Sequence, residues 1–243
     1  SSPRQIYSYL KNYFYKRNFV KSKNFKALVT AGPTREYIDP IRYISNESSG
    51  KQGYEIALAL NKLGIETTLI IGPSNLTSQK DIKTKKVVTA DEMFNEAKKS
   101  LPVDIAVCAA AVSDFKPVKK NKHKLKKNQN KLKSIQLEKN RDILEYLGKN
   151  NKHRPKMVVG FSAETENLNK NSINKMREKN CDLIIANDVS KKAKGFNSDY
   201  NEVSIIDNNG NIKIIKKNKK SLVANKVAEV ILDKLLIDDR NFN

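Results

Sequence analysis

The 243-residue chain has no tryptophan, two cysteines and two histidines. Folds held together by disulfides are small and rich in cysteine, so this class is excluded. We predict that Cys108 and Cys181 are core thiols in a reducing compartment, the cytoplasm. His123 and His153 have no cysteine or carboxylate at the spacing of a zinc ligand set, so no metal site built from side chains is predicted.

The chain also lacks long apolar runs and has few acidic residues. No run approaches the roughly 20 apolar residues of a membrane span, and the charged N-terminus has no apolar signal-peptide core, so we predict no membrane association. Lysine and arginine number 47 against 26 acidic residues, which gives a net charge of +21. Such an excess favours nucleic acid, but no basic patch is interleaved with aromatic residues, and we predict no nucleic-acid partner.

Short, nearly continuous apolar segments alternate with helical patterns over most of the chain. The apolar segments are KALVTAGPT, IETTLIIGP, DIAVCAAAV, MVVGFSAET and CDLIIANDV. The helical pattern between the first two ends at Gly64, and the next one has Thr89 as its cap. This alternation predicts an α/β fold in which a mostly parallel sheet is covered by helices on both faces.

Three segments depart from this alternation. The lysine-rich residues 115–134 have no apolar face and are predicted to form a mobile loop. Asn208, Asn209 and Gly210 predict the turn of a β-hairpin, which precedes a last helix near residues 219–235. At the other end, Ser2, Pro3 and Gln5 form a capping-box pattern that begins a helix within residues 1–24.

The stretch RYISNESSGKQG, residues 42–53, predicts a phosphate-binding turn at the start of a helix. It is not a P-loop, because Gly50 and Lys51 are followed by Gln52 and the upstream glycine is absent. It is not a dinucleotide fingerprint, because the first strand is followed by only one glycine, Gly32, and the second by no acid. Ser48, Ser49 and Gly50 offer backbone N–H groups where the helix dipole favours an anion, and Lys51 adds a charge. The alternative is a serine cap with a solvent-facing lysine.

Several segments, taken in order, resemble the bacterial phosphopantothenoylcysteine synthetase family over about residues 26–235. They are TAGPTREYIDPIRYISNESSGKQG, AAAVSDFKP, HKLKK, VGFSAET and LIIANDVS followed by GFNSDYNEV. The resemblance implies a Rossmann-like fold with a mobile lysine flap and a hairpin extension. It also implies a ligase that joins 4′-phosphopantothenate to L-cysteine through an acyl-cytidylate. The family uses Mg²⁺, consumes CTP and releases CMP and pyrophosphate.

The resemblance extends to organisation. Residues 1–24 resemble the linker that follows the flavin-dependent decarboxylase half of the bifunctional protein, so we expect that half upstream in the full-length protein, and residues 25–243 as the synthetase domain. No FMN is expected in the chain itself. The family works as a homodimer with a site completed across the interface, for which an edge strand or the hairpin near Gly210 is a candidate.

Matching positions imply roles for individual residues. Asn46 matches the catalytic asparagine, Arg42 an arginine of the second half-reaction, and Lys124 the flap lysine that assists formation of the acyl-cytidylate. Gly32, Ser48, Ser49, Gly50 and Lys51 are assigned to substrate or phosphate. The nucleotide-binding candidates are Cys108, Ala109, Ala110, Asp114, Lys124, Arg141, Asp142, Ile143, Leu144, Phe161, Lys175 and Lys179.

Two of these positions depart from the family pattern. Glycine or another small residue is usual where Cys108 stands, and proline is frequent where Arg141 stands. Asn187 and residues 196–199 match family motifs without an assignable role. A basic nucleic-acid-binding module and an NAD(P)-binding reductase remain as alternatives, and the sequence does not decide between CTP and ATP.

Overall fold

The structure, a computed structural model, describes residues 2–8, 10, 14, 20, 24–77, 79–126, 134–150, 152–190 and 198–241, with side chains to residue 236. The helices are α1 (residues 3–8), α2 (Lys51–Lys62), α3 (Ala90–Lys99), α4 (Ile143–Lys149), α5 (Leu168–Lys179) and α6 (Lys220–Asn241). The strands are β1 (Lys26–Ala31), β2 (Glu36–Tyr37), β3 (Tyr43–Ile44), β4 (Glu66–Ile71), β5 (Lys83–Lys86), β6 (Ile105–Cys108), β7 (Phe115–Pro117), β8 (Leu137–Lys139), β9 (Met157–Glu164), β10 (Leu183–Asp188), β11 (Tyr200–Asp207) and β12 (Ile212–Lys219). Among these helices, none is both long and apolar enough to cross a bilayer.

Eight strands form the central sheet, in the order β12-β11-β10-β9-β6-β1-β4-β5. The six strands from β10 to β5 are parallel, and the β11–β12 hairpin adds two antiparallel strands at one edge. The six parallel strands, counted along the chain, follow the order 3-2-1-4-5-6 of a Rossmann fold. The predicted fold class and hairpin are therefore confirmed.

Both faces of the sheet are buried at its inner strands β10, β9, β6, β1 and β4, which explains why these strands are apolar without alternation. Successive side chains of a strand point to opposite faces. In β1, Ala27 and Val29 pack in one core with residues of α2 and α6, whereas Leu28 packs in a second core with residues of α3 and α4. A helix layer on each face thus removes the polar positions that a one-sided sheet would carry.

Local signals place several helix ends as predicted. The Thr89 hydroxyl accepts a hydrogen bond from the Glu92 N–H at 3.2 Å, and the Glu92 carboxylate accepts one from the Thr89 N–H, which completes a capping box. At the N-terminus, Ser2 N–H donates to Gln5 Oε1 at 2.8 Å, and Gln5 N–H donates to Ser2 Oγ at 3.3 Å. Val20 is fully buried and packs in the main core.

Two small sheets lie outside the central one. They pair β2 with β3 and β7 with β8, both antiparallel, and β2 contacts β7. The prediction of a loop without regular structure from residue 115 onward is wrong for Phe115–Pro117, because β7 pairs with the distant β8, a partnership that composition does not report. Residues 127–133 of the predicted flap lie outside the described residues.

Candidate active site

A cleft opens at the carboxyl ends of the parallel strands. Its floor is the point between β1 and β6 where the strand order reverses, which is where ligands bind in open parallel sheets. Two adjoining chambers make up the cleft. They share Ala110, Val112, Asp114, Phe161 and Lys175 as common walls.

The first chamber, here called the loop chamber, has a volume of about 480 Å³. Residues 46–52 form one wall and the small residues 109–111 form another. The second, the helix chamber, has a volume of about 530 Å³ and lies against residues 139–145 at the start of α4. Each chamber is large enough for a nucleotide-sized ligand, because small-molecule sites typically enclose roughly 300–1,000 Å³.

Asn46 stands at the edge of the loop chamber on the loop that follows β3. Its Nδ2 donates a hydrogen bond to the Val112 carbonyl oxygen at 2.9 Å, across from the end of β6. The neighbouring Ser45 Oγ donates to the Thr34 carbonyl oxygen at 2.7 Å. Both hydrogen bonds tie the loop to the sheet. The exposed Asn46 amide is therefore held next to Val112, which lines both chambers.

The Ser-Ser-Gly-Lys turn begins α2 and faces the loop chamber. Gly50, at φ 73°, is the N-cap residue of the helix and has no side chain, so the serine N-cap of the alternative is not formed. Ser48 Oγ instead accepts the Gly50 N–H at 3.2 Å, and Ser49 Oγ accepts the Lys51 N–H at 3.4 Å. A Cβ on Gly50 would lie 3.0 Å from Gly32 Cα, so these glycines let the turn rest directly on the end of β1.

Charged side chains line part of the loop chamber. Lys51 Nζ and Asp199 Oδ1 form an ion pair at 2.5 Å, and the hydrogen bond from Lys51 lowers the pKa of Asp199. Lys220, the first residue of α6, is only 6% exposed and also lines this chamber. Burial lowers the pKa of Lys220, and the charge of Lys51 lowers it further.

The helix chamber has its own charge network around Lys179. Burial disfavours the Lys179 ammonium, but Glu178, Glu145 and Asp142 outweigh it and raise its pKa above the ordinary value. Asp142 also caps α4, since its carboxylate accepts the Glu145 N–H at 2.9 Å. Lys179 is therefore a fixed positive charge at neutral pH, while Lys175, one turn earlier on α5, reaches both chambers.

Arg141 borders the helix chamber but directs its guanidinium onto α3. Its Nη2 donates to Asp91 Oδ1 at 2.9 Å, and its Cζ lies 4.0 Å from the centre of the Phe94 ring. Lys116 on β7 pairs with the other oxygen of Asp91 at 2.6 Å. Asp91 therefore connects the base of the flap to the turn before α4.

Small residues line the end of β6. Ala109 faces the loop chamber, Ala110 both chambers and Cys108 the helix chamber. Desolvation raises the pKa of the Cys108 thiol well above its ordinary value, so the sulfur is not a thiolate at neutral pH. The buried Ile143 and Leu144 form part of the helix-chamber wall, and Phe161 lies between the chambers.

Three predicted site residues do not line either chamber. Gly32 lies beneath the turn, in contact with Gly50. Arg42 forms an ion pair with the buried Asp39, and its Nη2 also donates to the Leu125 carbonyl oxygen at 2.8 Å. The exposed Lys124 precedes Leu125 at this anchor point. The structure thus brings together Asn46, the turn and the nucleotide-binding candidates, but leaves Arg42 and Lys124 outside.

Sequence reasoning assigned no role to five polar residues of the loop chamber: Glu47, Gln52, Ser162, Asn201 and Lys220. Gln52 was noted only for departing from the P-loop pattern, yet its Nε2 is buried without a hydrogen-bond partner among the described residues. Asn201 and Lys220 come from β11 and α6, which the antiparallel hairpin brings beside β10. Lys220 stands in a lysine-rich run, so nothing in its sequence context distinguishes it from solvated neighbours.

Acidic side chains border the cleft without forming a metal-binding cluster. Within the described part of the chain, no three histidine, cysteine, aspartate or glutamate residues are grouped so that they could hold a metal ion. Asp114 is an exposed carboxylate that both chambers share. Its oxygen donors suit Mg²⁺, which is usually bound through one or two carboxylates together with substrate phosphates.

The sequence and the Rossmann-like fold have counterparts among known proteins. Residues 22–235 match the family model of the DNA/pantothenate metabolism flavoprotein C-terminal domain, and the chain belongs to this family. A relative from Haemophilus influenzae, named coenzyme A biosynthesis bifunctional protein CoaBC, is 41% identical over 95% of this chain and 57% of its own length. The protein of the same name from Escherichia coli K12 is 38% identical over 90% of this chain and 54% of its own.

Solved structures agree with this assignment. A crystal structure of the C-terminal domain of coenzyme A biosynthesis bifunctional protein CoaBC is 33% identical, with a TM-score of 0.73 over 88% of this chain and 96% of that one. A DNA/pantothenate metabolism flavoprotein from Streptococcus pneumoniae, 21% identical with a TM-score of 0.70 over 88% of this chain and 99% of its own, shares the fold. The chain spans little more than half the length of the curated relatives it matches.

Proposed function

We propose that this chain is the ligase that joins 4′-phosphopantothenate and L-cysteine to form 4′-phosphopantothenoyl-L-cysteine in coenzyme A biosynthesis. CTP is the proposed nucleotide, and CMP and pyrophosphate are the proposed by-products. Its family and the 33% identity to a CoaBC C-terminal domain support this reaction. The observation that carries it is the pair of adjoining chambers, because a ligase of this kind must hold a nucleotide and an acid side by side.

In the first half-reaction, the 4′-phosphopantothenate carboxylate attacks the α-phosphorus of CTP. A carboxyl-oxygen-to-phosphorus bond forms, the bond between the α- and β-phosphates breaks, and pyrophosphate leaves. We assign the nucleotide to the helix chamber, where Lys175 and Lys179 supply positive charge and Ala110 allows close approach to the backbone. The acid is assigned to the loop chamber, so that its carboxylate meets the α-phosphate at their shared wall near Phe161.

In the second half-reaction, the amine of cysteine attacks the acyl carbonyl of the acyl-cytidylate. A carbon–nitrogen bond forms, the acyl carbon–oxygen bond breaks, CMP leaves and the amine releases its proton to solvent. We assign the Asn46 amide to the carbonyl oxygen, where a fixed donor stabilises the developing negative charge. Arg42 supports this step through the Asp39 ion pair that fixes the start of the loop.

Mg²⁺ is proposed as the metal of the first half-reaction. Asp114 and the nucleotide's own phosphates would hold it, and the ion would offset the negative charge of the triphosphate. The lysines of the helix chamber orient the same phosphates. Lys124 is assigned to them as well, although this requires the flap to close or to come from a second copy of the chain.

We propose that the working unit is a homodimer joined through the two small sheets. Exposed apolar side chains collect on these sheets and on the segments beside them: Ile41, Tyr43, Phe115, Val118 and Leu137. A second copy would cover this surface, and its position beside the flap would bring Lys124 of each copy near the other's cleft. The full-length protein is proposed to carry an upstream decarboxylase half, since the relatives are bifunctional by name.

The test is pyrophosphate release by the purified chain with Mg²⁺, 4′-phosphopantothenate and cysteine, comparing CTP with ATP. Products are identified by mass. We expect release with CTP, together with CMP and the cysteine adduct. Release with ATP alone would keep the ligase and replace the nucleotide, whereas no release from a folded dimer with either nucleotide would reject the reaction.

A further inference from the structure

Two helices point their N-termini into the loop chamber and each begins with a lysine. Lys51 is the first residue of α2, and Lys220 is the first residue of α6. Both line the chamber, and the two helices pack against each other on the same face of the sheet. Helix N-termini favour anions, so two of them with two ammonium groups make this corner of the chamber strongly positive.

Asp199 supplies the anionic partner of Lys51. Its carboxylate is 69% exposed and pairs with Lys51, whose side chain is 34% exposed. The Asp199 carbonyl oxygen accepts the Lys220 N–H at 2.8 Å, which fixes the Asp199 backbone beside the N-terminus of α6. An exposed pair of this kind contributes little to stability, so the carboxylate is easily displaced while its backbone stays in place.

More lysines act on the Asp199 carboxylate than the one that it pairs with. Lys51, Lys219 and Lys220 all act on the Asp199 carboxylate, and Glu55 is the other acid that acts on Lys51. Lys220 is only 6% exposed, so solvent and salt screen its charge less than that of a surface lysine. A dianion would offset this excess better than one carboxylate does.

Building on the proposed function, we propose that Lys51 and Lys220 bind the phosphate monoester of 4′-phosphopantothenate, and that Asp199 is an internal competitor which occupies this site until the substrate displaces it. A phosphate monoester carries a charge of about −1.5 to −2 at neutral pH and three acceptor oxygens. It therefore outcompetes a single carboxylate for the same two cations. Lys220 becomes a specificity residue for phosphorylated over unphosphorylated pantothenate.

Calorimetry tests this without turnover, using 4′-phosphopantothenate, pantothenate and inorganic phosphate as separate probes. We expect Asp199→Asn to bind 4′-phosphopantothenate about 3- to 10-fold more tightly, because the competitor loses its charge. Lys220→Met should bind it at least about 10-fold more weakly, with little change for pantothenate, since one charge-assisted contact is lost. Lys226→Met, which removes an exposed charge from the same helix, is the matched control and should match the parent.

The results that overturn the proposal are specific. They are weaker binding by Asp199→Asn, parental binding by Lys220→Met, or equal losses for 4′-phosphopantothenate and pantothenate. Lys220→Arg, which keeps the charge, should retain most of the affinity and so separates charge from folding. Failure of the ligase assignment is recorded separately, by the absence of pyrophosphate release from the parent. In that case, weaker binding of inorganic phosphate by Lys220→Met than by the parent would still support the anion site.

Discussion

Asn46 Nδ2 donates its 2.9 Å hydrogen bond to the carbonyl oxygen of Val112, one of the five residues that line both chambers. An amide nitrogen carries two hydrogens, so one remains available for a ligand. In the proposed reaction this second hydrogen meets the acyl carbonyl. The bond to Val112 then fixes the donor before the intermediate forms.

The first prediction concerns Asn46→Asp. The carboxylate cannot donate to Val112 or to the acyl carbonyl, so we expect consumption of the acyl-cytidylate to fall by about 10²- to 10³-fold. The intermediate should accumulate in quenched samples analysed by mass spectrometry. Asn174→Asp, an exposed change on α5, is the control and should behave as the parent. Parental consumption of the intermediate by Asn46→Asp would remove Asn46 from the chemistry.

The second prediction concerns Lys124, which lies outside the cleft of its own chain. We expect Lys124→Gln to suppress formation of the acyl-cytidylate, whereas the exposed Lys119→Gln should not. Heterodimers of Lys124→Gln with Asn46→Asp, purified through two different tags, separate the two ways of reaching the site. If the flap serves the partner's cleft, one intact site forms and about half of the parental rate returns. No recovery would mean that each flap closes over its own chain.

The order of apolar segments was sufficient to predict the sheet, because strands buried on both faces have no alternation to obscure them. It did not predict β5, whose sequence Lys-Thr-Lys-Lys pairs with β4 at the edge of the sheet. It also missed β2 and β3, two-residue strands that form only because they pair with each other and that their composition does not indicate. Short polar strands depend on tertiary hydrogen bonds, and these leave no local pattern.

The site residues also fall into those that the sequence could place and those that it could not. Residues on strand ends and helix starts, such as Ala110 and Asp142, could be placed because the topology of a parallel sheet brings those ends together. Lys220 could not, since its position depends on a hairpin that returns the chain to the cleft. Arg42 was predicted from its motif, but the buried Asp39 holds it away from both chambers.

The third prediction follows from Asp39, whose carboxylate is buried and whose ordinary pKa would be 3.8. The hydrogen bonds from Arg42 lower this pKa strongly, against the opposing effect of burial, and N–H donors that include Leu125 lower it further. A depressed pKa adds stability above the unfolded value and loses it as the pH falls toward the folded one. We expect the parent to lose stability progressively below about pH 4.

Asp39→Asn removes this pH-dependent contribution. The variant should melt at a lower temperature at pH 7 and show a shallower loss of melting temperature between about pH 4 and pH 2. Thermal unfolding followed by circular dichroism across this range measures both effects. The exposed Asp81→Asn should keep the parental profile. An unchanged acid slope in Asp39→Asn would show that the ion pair with Arg42 does not couple to folding.

The fourth prediction concerns the glycine beneath the cleft. A Cβ added to Gly72 would lie 1.8 Å from the Pro33 carbonyl oxygen, an overlap that only backbone movement can relieve. Pro33 follows Gly32, which contacts Gly50 in the Ser-Ser-Gly-Lys turn. We expect Gly72→Ala to lower the free energy of unfolding by about 3 kcal/mol in urea titrations. It should also weaken binding of 4′-phosphopantothenate, because the displaced Pro33 moves the turn.

Gly210→Ala is the comparison that isolates this overlap. Gly210 has φ 83° in the hairpin turn, and nothing lies within 4 Å of an added Cβ. Alanine there bears only the left-handed backbone cost of about 1 kcal/mol. Its affinity for 4′-phosphopantothenate should equal that of the parent, since the hairpin turn is remote from β1. If Gly72→Ala lowers the free energy of unfolding by no more than Gly210→Ala does, the contact with Pro33 is not what keeps the end of β1 beneath the turn.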